Sequence, residues 1–178
     1  MKIWIKIRRP LITGLLIYFF FLLQCTFFAA LELGRVKPDI MIILTAAIGI
    51  IRGRKEGMLT GFFSGLLIDI QFGSILGLYA LIYLVIGYAN GYSRQLFFDE
   101  ELKLPLLLIG GSDLLYGILV YLFQFLLRSE FQFLYFFSHI IVPQVIYTII
   151  VAFGLYPLIL FVNRKLAAEE KRGASKFV

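Results

Sequence analysis

The chain has 178 residues, 61% of them hydrophobic, with a mean hydropathy of +0.92 and a formal net charge of +6. Soluble domains run at roughly 45–50% apolar residues, so this composition excludes an ordinary soluble domain and points to a membrane protein. Excess positive charge would suggest nucleic acid in a soluble chain. Here the basic residues cluster at the ends of apolar runs, where membrane orientation accounts for them and no nucleic-acid partner is expected.

Cys25 is the lone cysteine and lies within an apolar run, which rules out an intrachain disulfide and a cysteine metal cluster. Residues 1–9 are basic and the apolar run over 11–28 that follows is longer than the ~7–15 residues of a removable signal core. Leu22-Leu23-Gln24-Cys25 resembles a lipoprotein box, but Gln24 stands where such boxes carry a small residue. The expectation is a retained first span over residues 11–33, opened by Pro10, which a helix tolerates in its first turn.

A short loop with Arg35 and Lys37 leads to a second span at 40–51. Twelve residues rise only ~18 Å as a helix against a hydrocarbon core of ~30 Å, so this segment is either a short span shielded by its neighbours or a re-entrant element. Arg52, Arg54, Lys55 and Glu56 form a charged turn before a third span at 57–72. Gly73 and Ser74 allow a reversal into a fourth span at 75–92. A loop with Arg94, Asp99, Glu100, Glu101 and Lys103 precedes a fifth span at 104–127. After Arg128, Ser129 and Glu130, an aromatic run opens a sixth span at 134–162, where Pro143 and Pro157 predict a kink or tilt. Residues 163–178 read as a frayed, charged tail.

Charge tests the count. Six spans place fourteen Lys and Arg on one face of the membrane and three on the other, which sets both termini in the cytoplasm. Removing the short second span would put the two basic termini on opposite faces. The expected architecture is therefore an all-α, polytopic six-helix bundle, with residues 1–162 as a single transmembrane domain and 163–178 as a cytoplasmic tail.

Gly57, Gly61, Gly65 and Asp69 recur every four residues and so share one helix face. Small residues at this spacing let helix backbones approach closely in lipid. Gly87 and Gly91 repeat the spacing on the fourth span, and Gly73 and Gly77 flank the turn before it. These eight residues are candidates for helix packing or partner contact. Asp69 and Asp113 fall inside spans that contain no Lys or Arg. Each must be hydrogen-bonded, protonated, in reach of water or met by a partner. Internal candidates are His139, Ser112, Tyr116, Gln124, Gln144 and Asn90. Asp69→Asn is expected to keep the fold and weaken complex formation.

Catalytic signatures are poor. The chain lacks HExxH, GxSxG and P-loop patterns, and one histidine cannot build a multi-histidine metal site, so no catalytic residue, metal or cofactor is assigned. Paired intramembrane aspartates are a feature of intramembrane aspartyl proteases. However, Gly110-Gly111-Ser112-Asp113 is not their Gly-x-Gly-Asp motif, and Ile68 stands where a Tyr would precede Asp69.

Several motifs occur together in order: Lys37-Pro38-Asp39-Ile40 before a short apolar helix, the basic turn over 52–56, the glycine stripe ending in Leu66-Leu67-x-Asp69, and Phe72-Gly73-Ser74-x-x-Gly77-Leu78-Tyr79-Ala80-Leu81. In this order and spacing they resemble the rod shape-determining protein MreD family, most strongly over residues 37–92. The resemblance implies a multi-pass protein of the bacterial cytoplasmic (inner) membrane that belongs to the cell-elongation machinery. It implies as partners a bitopic MreC-like protein, an MreB-like filament, and the elongation transpeptidase and glycosyltransferase that build lateral peptidoglycan. It further implies a bundle similar to the substrate-binding subunits of energy-coupling-factor transporters, with no catalytic residues to carry over. The expected function is a non-catalytic scaffold that helps determine rod shape, with membrane lipids as further contacts. The rival readings are a substrate-binding subunit of a small-molecule transporter and a lipid-handling protein.

Overall fold

The computed structural model describes residues 2–32, 36–73, 75–96, 102–128 and 133–175. Its helices are α1 (Lys2–Cys25), α2 (Phe27–Ala30), α3 (Ile40–Arg52), α4 (Arg54–Phe72), α5 (Leu78–Tyr92), α6 (Lys103–Arg128), α7 (Phe133–Phe136) and α8 (Val142–Ser175). The short α2 extends α1 past Thr26, whose backbone amide still bonds Leu22. A π-helical turn, Phe137–Ile141, joins α7 to α8. Among the described residues these make six helical arms, one for each predicted span.

Three of these arms are long and apolar enough to cross a bilayer unaided: Arg9–Ala30, Lys103–Phe123 and Phe133–Glu169. The chain is an all-helical membrane protein. Helices α3, α4 and α5 are shorter or more polar, and α4 and α5 pack against a central α3.

Helix α3 is the hub. Every residue from Ile40 to Ile50 is buried, and the helix packs against α1, α4, α5, α6 and α8. A helix that is apolar on all sides is one that is enclosed on all sides. Lipid tails are as apolar as isoleucine, so little hydrophobic transfer energy holds α3 in place. Close packing and polar contacts at its ends do that work instead.

Several boundaries differ from expectation. The first helix begins at Lys2, so Pro10 lies inside it instead of opening it. Helix α4 takes in Arg54, Lys55 and Glu56, leaving Gly53 as the sole joint from α3. Its φ of 98° is one that a side chain would strain. The expected frayed tail is helical through Ser175, because Asn163 is held by Arg52 and the following Lys, Ala and Glu residues favour helix. Pro143 has no N–H to give the carbonyl four residues back, and the chain widens into the π turn just before it. Arg35, Ser74, Asp99, Glu100, Glu101, Ser129, Glu130 and the first two residues of the aromatic run lie outside the described residues.

Candidate functional site

The start of α3 lies inside the bundle, where water cannot satisfy the four amides that a helix start leaves unbonded. Each is met by a protein group. Asp39 N–H donates to Thr148 Oγ1 of α8 at 3.2 Å, and Ile40 N–H donates to Gln24 Oε1 of α1 at 2.9 Å. Met41 and Ile42 N–H both donate to Asp39 Oδ1, at 3.0 and 3.1 Å. Gln24 also donates from Nε2 to Pro38 O at 3.1 Å, bracketing the turn into the helix. The second carboxylate oxygen of Asp39 accepts from the buried Tyr83 hydroxyl of α5 at 2.5 Å. Three other helices, α1, α5 and α8, thus converge on the start of α3.

The other end of α3 is closed by charge. Arg52 is almost buried and donates from Nε to Asn163 of α8 at 2.5 Å. Its Nη1 reaches Thr13 of α1 at 2.7 Å and Glu56 of α4 at 2.9 Å. Arg94 donates to the Arg52 carbonyl at 2.7 Å, a cation on the negative end of the helix dipole. Arg54 lies 4.1 Å from the centre of the Tyr92 ring. The basic turn between α3 and α4 therefore clamps the end of α3.

The glycines form a seam between α4 and α5. A Cβ on Gly57 would fall on Gly87 O, and one on Gly87 would fall on Gly57 O, so the two backbones touch reciprocally. A Cβ on Gly61 would strike Tyr83 O, and one on Gly65 would strike Tyr79 O. Gly91 faces the backbone of Arg54, and Gly49 of α3 faces Gly87. Gly73 ends α4 on Asp69 O, and Gly77 has a φ of 99° at the start of α5. No other residue type fits such an approach without parting the helices.

Asp69 is 2% exposed and is answered inside the chain. Its two oxygens accept from Tyr79 N–H at 3.0 Å and Ala80 N–H at 2.8 Å, in the first turn of α5. A carboxylate there satisfies two free amides and meets the positive end of the helix dipole. Asp113 is fully buried on α6. It accepts from Gln144 Nε2 at 2.9 Å. Its Oδ2 has no partner among the described residues.

Of the other internal candidates, Asn90 donates to Ser112 at 2.6 Å, tying α5 to α6. Tyr116 packs edge-on against Tyr83, with ring centres 5.5 Å apart. His139 meets neither aspartate: it is exposed, stacked on Tyr135 at 4.4 Å and bonded to Ser138. The side chain of Gln124 lies outside the described residues. Sequence reasoning missed Gln24, Asp39, Tyr83, Thr148 and Arg52 as anchors. The signal for Asp39 was present, since Asp directly before an apolar helix marks an N-cap. A pairing such as Gln24 with residues 38 and 40 leaves no local trace.

Residues 5–166 match the family model for the rod shape-determining protein MreD. No curated protein and no solved structure matches the chain.

Proposed function

The chain belongs to the rod shape-determining protein MreD family, whose role is in rod-shape determination, and from that premise we propose that it acts as a non-catalytic membrane scaffold. In this reading it holds a single-span, MreC-like partner in the bilayer. Through that partner it links an MreB-like filament on the cytoplasmic side with the transpeptidase and glycosyltransferase that build lateral peptidoglycan. Both termini lie in the cytoplasm, in a multi-pass bundle of the bacterial cytoplasmic membrane comparable to the substrate-binding subunits of energy-coupling-factor transporters.

The observation that carries this reading is the closure of α3. The acids Asp39 and Asp69 and the cation Arg52 are engaged with backbone amides and side chains of the same chain. A bundle locked in this way presents its outer helix faces for contact. Those faces carry large exposed apolar side chains such as Leu107, Ile150 and Phe153. In lipid such surfaces associate through shape and packing instead of a hydrophobic drive. The glycine seam and Asp69 serve this function by fixing the positions of α4 and α5.

Depletion in a rod-shaped host, combined with co-purification in a mild detergent, tests the proposal. The expected result is cell rounding and recovery of a bitopic partner with the chain. Normal rods that acquire a requirement for a small nutrient, with no membrane partner recovered, would point to transport instead.

A further inference from the structure

Asp113 is the buried acid that neither the clamps on α3 nor the glycine seam uses. It is fully buried, and Gln144 Nε2 is its one donor among the described residues. Gln144 and Thr148 lie one turn apart on the same face of α8. Thr148 receives the Asp39 N–H, so Asp39 and Asp113 rest against one stripe of α8. Tyr116, one turn along α6 from Asp113, packs edge-on against Tyr83, whose hydroxyl reaches Asp39. Two acids thus share one enclosed cluster built from α3, α5, α6 and α8.

The groups around the cluster decide which acid carries the charge. Asp39 accepts from Met41 N–H, Ile42 N–H and the Tyr83 hydroxyl, and it caps the positive end of the α3 dipole. Lys37, two residues before it, holds its ammonium 4.7 Å from the centre of the Phe72 ring. Asp113 has a single amide. The elements packed on α6 are α3, α5, α8 and the π turn. Of these, α3 brings Asp39 and α5 brings Tyr83, neither of them a cation, and α8 meets Asp113 through the neutral Gln144. Arg52 lies at the far end of α3, thirteen residues or ~20 Å from Asp39. Lys103 is ten residues, ~15 Å, back along α6, and Arg164 is sixteen residues, ~24 Å, past Thr148 on α8. His139 of the π turn is exposed and stacked on Tyr135. A buried carboxylate without a cation is costly, and one beside a second charged acid is costlier still, so such a group takes a proton. We propose that Asp113 is the neutral acid of this pair, a site that holds one proton per chain in the bundle core at neutral pH. The inference rests on this cluster alone and stands whether or not the scaffold reading does.

Infrared spectroscopy tests it, on the full chain labelled with carboxyl-13C aspartate, at neutral pH in a detergent without ester groups. The chain has four aspartates, and the wild type shows an isotope-shifted carboxylic acid carbonyl band equivalent to one of them. The band is lost in Asp113→Asn and kept in Asp69→Asn. A wild-type spectrum with carboxylate bands alone overturns the proposal, and it does so without any variant. An acid band that persists in Asp113→Asn overturns it too, since the proton then sits on another aspartate. Melting gives a second readout. Asn copies the neutral acid and still accepts from Gln144, so Asp113→Asn melts close to wild type at neutral pH. Alkaline pH ionises Asp113 and sets a second negative charge in the cluster, so the wild type then melts lower, and the variant falls by less. Equal falls in the two proteins would contradict a proton held at Asp113.

Discussion

Gln24 sits in the middle of an apolar run, one residue before the lone cysteine, and in the fold it does the work of backbone. Its amide receives Ile40 N–H and gives a proton to Pro38 O, so two groups that no water reaches are both paired. Gln24→Leu keeps the apolar character of α1 and orphans both groups. The expected cost is about 2–4 kcal/mol, read as a lower melting temperature or an earlier transition in denaturing detergent. Asp69 behaves differently, because Asn preserves one of its two acceptors. Asp69→Asn is expected to fold and to lose about 1–2 kcal/mol, through one weakened amide bond and the lost interaction with the helix dipole. The sequence alone suggests that this change weakens complex formation, but the carboxylate is buried on its own chain's amides, so partner co-purification should survive it. Loss of the complex at an unchanged melting temperature would make Asp69 a direct partner contact.

At the scale of elements, the seam between α4 and α5 is where a methyl group is least affordable. Gly61→Ala places its new carbon on the Tyr83 carbonyl, so the two helices must part, at about 1–3 kcal/mol. Gly111→Ala is the matched control. Its Cβ meets nothing within 4 Å, and alanine favours helix over glycine by up to about 1 kcal/mol, so this variant should melt at or above wild type. Equal melting of the two variants would contradict the seam. The four-residue spacing of Gly57, Gly61 and Gly65 is plain in the sequence, because it is a property of one helix. That the spacing meets Tyr83, Tyr79 and Gly87 is a property of two, and no local pattern carries it. The same distinction explains α3. Twelve apolar residues announce a helix too short to span alone. Whether it is shielded or re-entrant depends on Thr148, Gln24 and Arg52, which lie far away along the chain or read locally as something else. Arg52 reads as an orientation signal, and its place in the clamp emerges only when α1 and α8 arrive beside it.

For the whole molecule, a closed hub implies a division of labour. The centre holds the helices in register, and whatever meets other proteins must do so from the outer faces of α1, α4, α5, α6 and α8. Composition made the membrane class legible, and six apolar runs gave the six arms. Which face meets a partner is not written in periodicity, since lipid and a neighbouring helix favour the same side chains. The most direct measurement is photo-crosslinking in growing rod-shaped cells, with a crosslinking amino acid placed in turn at Leu107, Ile150 and Phe153 outside and at Leu44 and Ile48 in the hub. The account predicts adducts to a single-span membrane protein from at least one outer position and none from the two hub positions. Adducts from the hub, or an absence of protein adducts from every outer position in cells whose rod shape depends on the chain, would contradict it.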